Sequence, residues 1–538
     1  MSEGREPETS SRGWAALTVV VSALVVAEAW QKFGSYQDDA YIFLRYADNF
    51  VRGAGLVYNL GERVEGFTSP LWQLLVIACA ALHLDMLHAI GVMGTVATVG
   101  TLLVSVRDAR RCGPPGAFGA IAPLALATYV HFVVWAVSGL ETSLFTFLLW
   151  AALSSHRVAI HERRTPGVGT GVLLALASLA RPEGGVAVLV LVADAGLRAL
   201  RSREAGPRRA NPWRAMAALL GPAALAGVVL LAARWVYYHD SLPNTFYAKI
   251  GGTRHHVAMG AVYLGRFMRD SPLVWCVAGL LLPGAARRAP ALGAAAAIVA
   301  VWSLNVLRVG GDYLEYHRFM VPLAPLLFAL GAQGVHEIHR FAADRIADRF
   351  PPARLRGAVP AAAASLALAT VVAVQHEPIQ FRAEHGFPGV LANVRLGRLL
   401  GSGLPPGWTI GLPHIGAVGY YSRRRIVDFL GLVDRGLAHR PTTVDPDAKL
   451  SWRESGHDHF DVDWSFAQKP DVVAFLRAFG SEPFEDISEV PCELRVESRV
   501  LERLAASREY VLRNVEVDTH VYGAVFVRAA REAELDRR

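Results

Sequence analysis

Eleven stretches of this chain are apolar and long enough to cross a lipid bilayer, and that single feature dominates what it can fold into. A bilayer core takes about 20 mostly apolar residues per helix, fewer where a polar end sits at the interface. The stretches run over residues 14–30, 86–106, 117–137, 142–157, 168–181, 183–198, 214–236, 267–284, 289–307, 319–336 and 357–375. A further segment, 71–83 (LWQLLVIACAALH), falls short of a crossing and reads as an interfacial or re-entrant helix. Counting it as a span would invert every later loop. The composition agrees: 53% of residues are hydrophobic and 19% charged, against roughly 25% charged in an average soluble protein. Disorder is excluded and an ordinary soluble enzyme is disfavoured.

The net charge of +7 would raise the question of nucleic acid in a soluble protein. Its distribution answers differently. With the N-terminus cytoplasmic, the loops assigned inside hold 21 arginines against nine acids, which is the bias expected of cytoplasmic loops. The excess charge is therefore an orientation signal, and no nucleic-acid partner is expected. Ala27-Glu28-Ala29 after the first apolar run could pass for a signal-peptidase site, but a retained anchor is expected, because the run is long and its leader carries three acids against two arginines. The first 375 residues then form a transmembrane domain whose external loop, 31–70, leads into the interfacial helix 71–83. Residues 376–538 have no candidate span and carry short apolar runs broken by Gly and Pro: WTIGL (408–412), RIVDFLG (425–431), DVVAFL (471–476) and HVYGAVFV (520–527). These predict a separate α/β domain in water. The four cysteines, Cys79, Cys112, Cys276 and Cys492, have no close pair spacing, so neither disulfides nor structural zinc should hold the fold.

In this topology the polar residues placed oddly near membrane ends all fall on the outer face. They are Asp38 and Asp39, with Arg45, Tyr46 and Glu65 further along the first loop; Glu141; Arg181 and Glu183; Asn244 and Lys249; and Asp312, His317 and Arg318. Adjacent carboxylates at a helix end can simply cap it. Glu141, Arg181 and Glu183 interrupt apolar runs, where an unpaired charge costs about 2.5 to 3.5 kcal/mol, so they should pair or line a wet cavity. A guanidinium such as that of Arg318 suits a phosphate, with Lys249 a second candidate, although each could equally mark an interface or a charged surface. No catalytic triad, Walker loop or zinc signature is present. His457-Asp458-His459 with Asp461 and Asp463 could bind a metal, but reads better as a solvated acidic loop. Tyr421-Ser422-Arg423-Arg424-Arg425 could meet an anionic polymer or be a solvated charge run.

The stretch QDDAYIFLRYADNFVRGAGLVYNLGERVEGFTSPLW (37–72) resembles the first external loop of GT-C glycosyltransferases, above all the terminal arabinofuranosyltransferases of the actinobacterial cell wall and their proteobacterial relatives. The likeness continues in order through SGLET (138–142), RPEG (181–184), LPNTFYAK (242–249), GGDYLEYHRFMVPL (310–323) and IGAVGYYSRRRIVDFLGLVD (415–434). It implies a polytopic α-helical membrane protein of the GT-C type, with about eleven transmembrane helices and a C-terminal α/β domain, in the bacterial inner membrane. It also implies an inverting transfer of a sugar, arabinofuranose, from a polyprenyl-phosphate donor to a glycan, lipopolysaccharide or pilin-like acceptor in the periplasm. By the family pattern the first acid of the pair, Asp38, is the base and Asp39 its positioning partner, while the sequence leaves open which of the two holds a proton. Lys249, His317 and Arg318 are expected at the donor phosphate. Arg45, Tyr46, Glu65, Glu141, Arg181, Glu183, Asn244 and Asp312 are expected at the sugar or acceptor. No cofactor is expected and no metal ligand set stands out. The alternatives are a GT-C transferase for a mannose or aminoarabinose donor, or a glycolipid flippase.

Overall fold

A computed structural model describes residues 11–201, 212–249, 253–270, 292–347, 389–441, 454–457 and 459–535. Among them are five helices long and apolar enough to cross a membrane: Ser11–Gln31, Met86–Cys112, Thr142–His161, Trp213–Tyr238 and Val321–Phe341. The chain is thus a multi-pass membrane protein. The span expected over 117–137 is two helices, Phe118–Ala127 and Val130–Ala136, bent by 51°. Thr128 ends the first by turning its hydroxyl back onto the carbonyls of Leu124 and Ala125. The expected spans 168–181 and 183–198 are helices Val168–Ala180 and Gly184–Arg201, divided where Arg181 leaves the helical conformation. The expected span 289–307 is helix Gly293–Val309. The expected span 267–284 begins in helix Arg254–Asp270 and otherwise lies outside the described residues, as do 357–375 and the domain boundary at 375/376.

Segment 71–83 forms helix Pro70–Ala81, opened by Pro70 at its first turn. Its 12 residues make a rod of about 18 Å, well short of the roughly 30 Å hydrocarbon core. It packs on the amphipathic helix Ala40–Val51. Small residues let the long helices approach closely, as in many membrane bundles. A Cβ on Gly171 would strike the Ala218 carbonyl, and one on Gly94 that of Ala136.

The C-terminal domain is built on a five-stranded sheet, β1 Thr409–Leu412, β2 Arg425–Asp428, β3 Val472–Gly480, β4 Tyr510–Asp518 and β5 Val521–Arg528, in the order β2-β1-β3-β5-β4. The first three strands are parallel, with Ile410 opposite Val472; β5 runs antiparallel between β3 and β4. All four apolar runs read from the sequence are strands. β3 shows the period of two that makes one sheet serve two cores. Val473 and Phe475 pack with Val496, Val500 and Leu504 of helix Arg495–Ala506, whereas Val472 and Ala474 join a cluster that runs on into the membrane helices through Ile415, Val418, Tyr58 and Tyr41. The soluble domain is docked, not tethered.

Candidate active site

The docking surface is the loop between helices Ser11–Gln31 and Pro70–Ala81, and it absorbs several of the residues expected at the substrate. Asp38 accepts from the backbone N–H groups of Gly416 and Ala417, both at 2.9 Å, at the start of helix Ala417–Ser422. The approach is so close that a Cβ on Gly416 would collide with Asp38. Burial pushes the Asp38 carboxyl pKa up, against the lowering pull of those two N–H groups. Arg45 donates to the carbonyls of Tyr58, Gly419 and Arg424 at 2.8, 2.6 and 2.7 Å. Tyr46 bridges the carbonyl of Val64 and the N–H of Gly66. Asn59 pairs both its amide atoms with Ile426, completing the free edge of β2 as another strand would. Asn244 donates to the carbonyls of Gly431 and Leu432. Glu65 is held in a bidentate pair by Arg234, at 2.7 and 3.0 Å, which fastens the loop to helix Pro212–Tyr238. The structure therefore places Asp38, Arg45, Tyr46, Glu65 and Asn244 in the joint between loop, bundle and soluble domain, each already bonded to protein there.

Beside this joint lies a cavity of about 420 Å³ whose wall includes Asp39, Glu141, Arg181, Glu183, Lys249 and Arg318. Asp39 reaches it because it is the N-cap of helix Ala40–Val51, one residue on from the clasp. One oxygen of Asp39 accepts from the Tyr313 hydroxyl at 3.3 Å and the other stands 3.9 Å from an Arg318 nitrogen. Arg318 is fixed by a bidentate pair with Asp312, at 2.7 and 3.0 Å, and lies against the Phe319 ring. Its loop is pinned by two indoles, Trp135 donating to the Tyr316 carbonyl and Trp302 to that of Phe319. Tyr316 and His317 both take left-handed backbone conformations, φ 60° and 50°, a strain found where a loop must present one side chain. That side chain is Arg318. His317 instead turns to Asp270 at 3.0 Å and to the His131 ring, and does not line the cavity. Opposite, Arg181 holds Glu141 at 3.0 Å and Glu183 at 2.9 Å, so this trio both pairs and lines the cavity, as the cost of unpaired charge requires.

Lys249 opens onto the cavity, yet the surrounding walls push its ammonium pKa down, with Asp39 pulling the other way. Two of the charged or amide side chains on this wall are not among those singled out from the sequence. Arg308 and Asn305 lie in the last turn of helix Gly293–Val309 and bond to each other at 3.2 Å. A basic residue at the end of an apolar helix reads as an interface marker; only its place on the same face as Gly310-Gly311-Asp312 could have singled it out. Two of the 423–425 arginines are spent on the joint, Arg423 facing Asp48 and Arg425 pairing with Glu62, while Arg424 donates to the carbonyls of Gly401 and Leu404 within the soluble domain. His457 and His459 diverge, the first onto Tyr313 and the second onto the Leu437 carbonyl, while Asp461 caps helix Val462–Ala467; Asp458 lies outside the described residues.

Residues 380–522 match a family model described as a domain of unknown function (DUF8728). By sequence the chain is 29% identical over 371 residues to the terminal β-(1→2)-arabinofuranosyltransferase of Mycobacterium tuberculosis (59% of this chain, 55% of the relative). It is 26% identical over 359 residues to the enzyme of the same name from Corynebacterium glutamicum (58% and 49%). The chain thus spans about half the length of the curated relatives it matches. By structure it is similar to ArnT from Cupriavidus metallidurans bound to undecaprenyl phosphate, with TM-score 0.52, 15% identity and coverage of 96% of this chain and 98% of that one. It is also similar to the oligosaccharyltransferase AglB from Archaeoglobus fulgidus in complex with an inhibitory peptide and a dolichol-phosphate, with TM-score 0.53, 11% identity and coverage of 95% and 74%. The chain therefore has the GT-C fold, a multi-pass helical membrane domain with a C-terminal soluble domain, and its curated relatives in sequence are terminal arabinofuranosyltransferases.

Proposed function

We propose that this protein is an inverting glycosyltransferase that moves arabinofuranose from a polyprenyl-phosphate donor to a hydroxyl of a glycan, lipopolysaccharide or pilin-like acceptor, on the outer side of a bacterial inner membrane. The observation that carries the reading is one cavity with a carboxylate, Asp39, and a fixed guanidinium, Arg318, 3.9 Å apart on its wall. Its 420 Å³ fall within the range of roughly 300 to 1,000 Å³ typical of small-molecule sites. In this reading Asp39, rather than Asp38, takes the acceptor's proton, because both Asp38 oxygens are already occupied by backbone N–H groups. The acceptor oxygen bonds to the anomeric carbon as the bond to the phosphate oxygen breaks, and Arg318, Lys249 and Arg308 meet the charge that develops there. With three side-chain cations at hand the phosphate is met without a divalent ion. Glu141 and Glu183, held by Arg181, face the sugar hydroxyls, and Asp312 acts by aiming Arg318.

The helix ends around the cavity support this orientation. Helix Thr142–His161 starts next to Glu141 on the cavity wall and is followed by Arg163 and Arg164, and helix Met86–Cys112, packed on it, ends in Arg110 and Arg111, which favours a cytoplasmic far end and an external site. Purified protein in vesicles should transfer sugar when offered polyprenyl-phosphate arabinofuranose, and not with the mannose or 4-amino-arabinose analogues, with or without EDTA. Asp39→Asn should insert normally and lose at least ~100-fold in rate. Wild-type turnover in that variant would refute the assignment, and preference for another donor would replace the sugar.

A further inference from the structure

A line of proton-carrying side chains runs from Asp39 into the soluble domain, and transfer chemistry in the cavity uses none of them beyond Asp39 itself. Tyr313 donates to Asp39 at 3.3 Å. The His457 ring stands edge-on to Tyr313 with centroids 4.0 Å apart, and the His414 ring follows at 5.4 Å. His414 Nδ1 then lies 3.9 Å from Glu497 Oε1, on the helix Arg495–Ala506. Asp39, Tyr313, His457 and His414 border a second, narrow cavity of about 10 Å³ that meets the first at Asp39 and Lys249, which is room for about one water. The line is held in place: Ser455 donates to the Gly310 carbonyl at 2.7 Å, and Gly456, at φ 75°, rests against the Lys249 methylenes. Among the described residues, the charged groups facing it are Asp39, Lys249, Arg318 and Asp312 around Tyr313, and Asp38 and Glu497 around His414.

We propose that Tyr313, His457 and His414 form the path by which the proton taken up by Asp39 leaves the site. The proposal rests on the transferase reading. In each turnover the acceptor oxygen gives its proton to the Asp39 carboxylate and its electron pair to the anomeric carbon. The bond from that carbon to the phosphate oxygen breaks with its electrons on the phosphate. Asp39 is then neutral and must lose the proton before the next turnover, while donor and acceptor fill the main cavity and shut bulk water out of it. The narrow cavity on the other side of Asp39 remains. Asp39 passes its proton to the Tyr313 oxygen as Tyr313 hands its own, through a water, to the His457 imidazole; His414 carries it on, and solvent buffer removes it.

His457→Gln and His414→Gln should each lower kcat at least ~10-fold with the donor KM unchanged. In both, kcat should then rise with the concentration of imidazole buffer, which substitutes for the missing base, whereas Asp39→Asn gains nothing from imidazole. Tyr313→Phe should show the same buffer dependence, which keeps the test open if one histidine variant does not fold. Wild-type kcat in the histidine variants, or a loss that buffer does not relieve, would overturn the path. If the wild-type protein transfers no sugar from any donor, the transferase reading fails, and the path is judged by mass-spectrometric exchange of the histidine C2 hydrogens. The exchange midpoint of His457 should move between wild type and Asp39→Asn; identical midpoints would overturn the coupling.

Discussion

A carboxylate whose two oxygens each accept a backbone N–H is turned away from a substrate whatever its proton affinity, which at Asp38 burial raises. That reasoning separates two acids adjacent in the chain. Asp38 secures Gly416 and Ala417, and Asp39 faces the cavity. Replacing Asp38 by Asn puts an amide N–H against a backbone N–H in a buried place, which costs about 1 to 3 kcal/mol. Asp38→Asn should therefore melt at a lower temperature in detergent, while Asp39→Asn melts with the wild type; equal melting of all three proteins would remove the clasp. The sequence could show that this pair mattered but not which way each pointed, since one residue of rotation at a helix start sends neighbours to different partners. Glu65 was misleading for a related reason. Its partner Arg234 lies 169 residues away, a distance over which no local pattern speaks.

At the scale of elements, the segment after β2 is, among the described residues, the part of the soluble domain that reaches the cavity, through Leu432. It hangs from Asp428, whose two oxygens accept from Leu430 and Val433 at 2.9 and 2.8 Å, and it turns at Gly431, φ 74°. Burial pushes the Asp428 carboxyl from an ordinary 3.8 up to about 7, opposed by the N–H groups and aided by Asp434. A folded-state pKa above the unfolded one means that the folded protein keeps a proton the unfolded chain has already lost. The stability this supplies is full below about pH 4 and drains away as pH rises to about 7. Asp428→Asn removes the titration, so its melting temperature should gain on the wild type between pH 5 and pH 8; a constant difference would refute the shift. Elements of this kind were partly legible. β1, β2, β3 and β5 announce themselves by apolar runs, but β4 (YVLRNVEVD) mixes charge into an edge strand and gives no run to find. The bend at Thr128 is likewise hidden, because composition reports apolarity and not where a helix stops.

Across the whole molecule, the soluble domain and the first loop act as one body, and Arg45 is its most connected bolt, tying Tyr58 to Gly419 and Arg424. Arg45→Ala strips the guanidinium from all three carbonyls; that of Tyr58 keeps a bond from Asn49 at 3.0 Å and that of Gly419 a long one from Ser422 at 3.5 Å, so the cost is about 1 to 3 kcal/mol. The variant should still insert, but trypsin should cut within 415–434 sooner and transfer should fall as the Leu432 side of the cavity loosens; unchanged proteolysis would show that the joint does not depend on it. The class of fold was readable because the bilayer imposes length and composition on every span, whereas the joint was not, being made of contacts between remote parts of the chain. Asp38 and Gly416 are 378 residues apart. At roughly 5 to 20 residues per second, a ribosome needs on the order of half a minute to connect them. Throughout that interval the membrane already holds the loop, while Asp38 still lacks the two backbone N–H groups that clasp it. Locking the loop to the soluble domain is consequently among the last steps open to the growing chain, and a chain that stops short of residue 416 leaves that lock unmade.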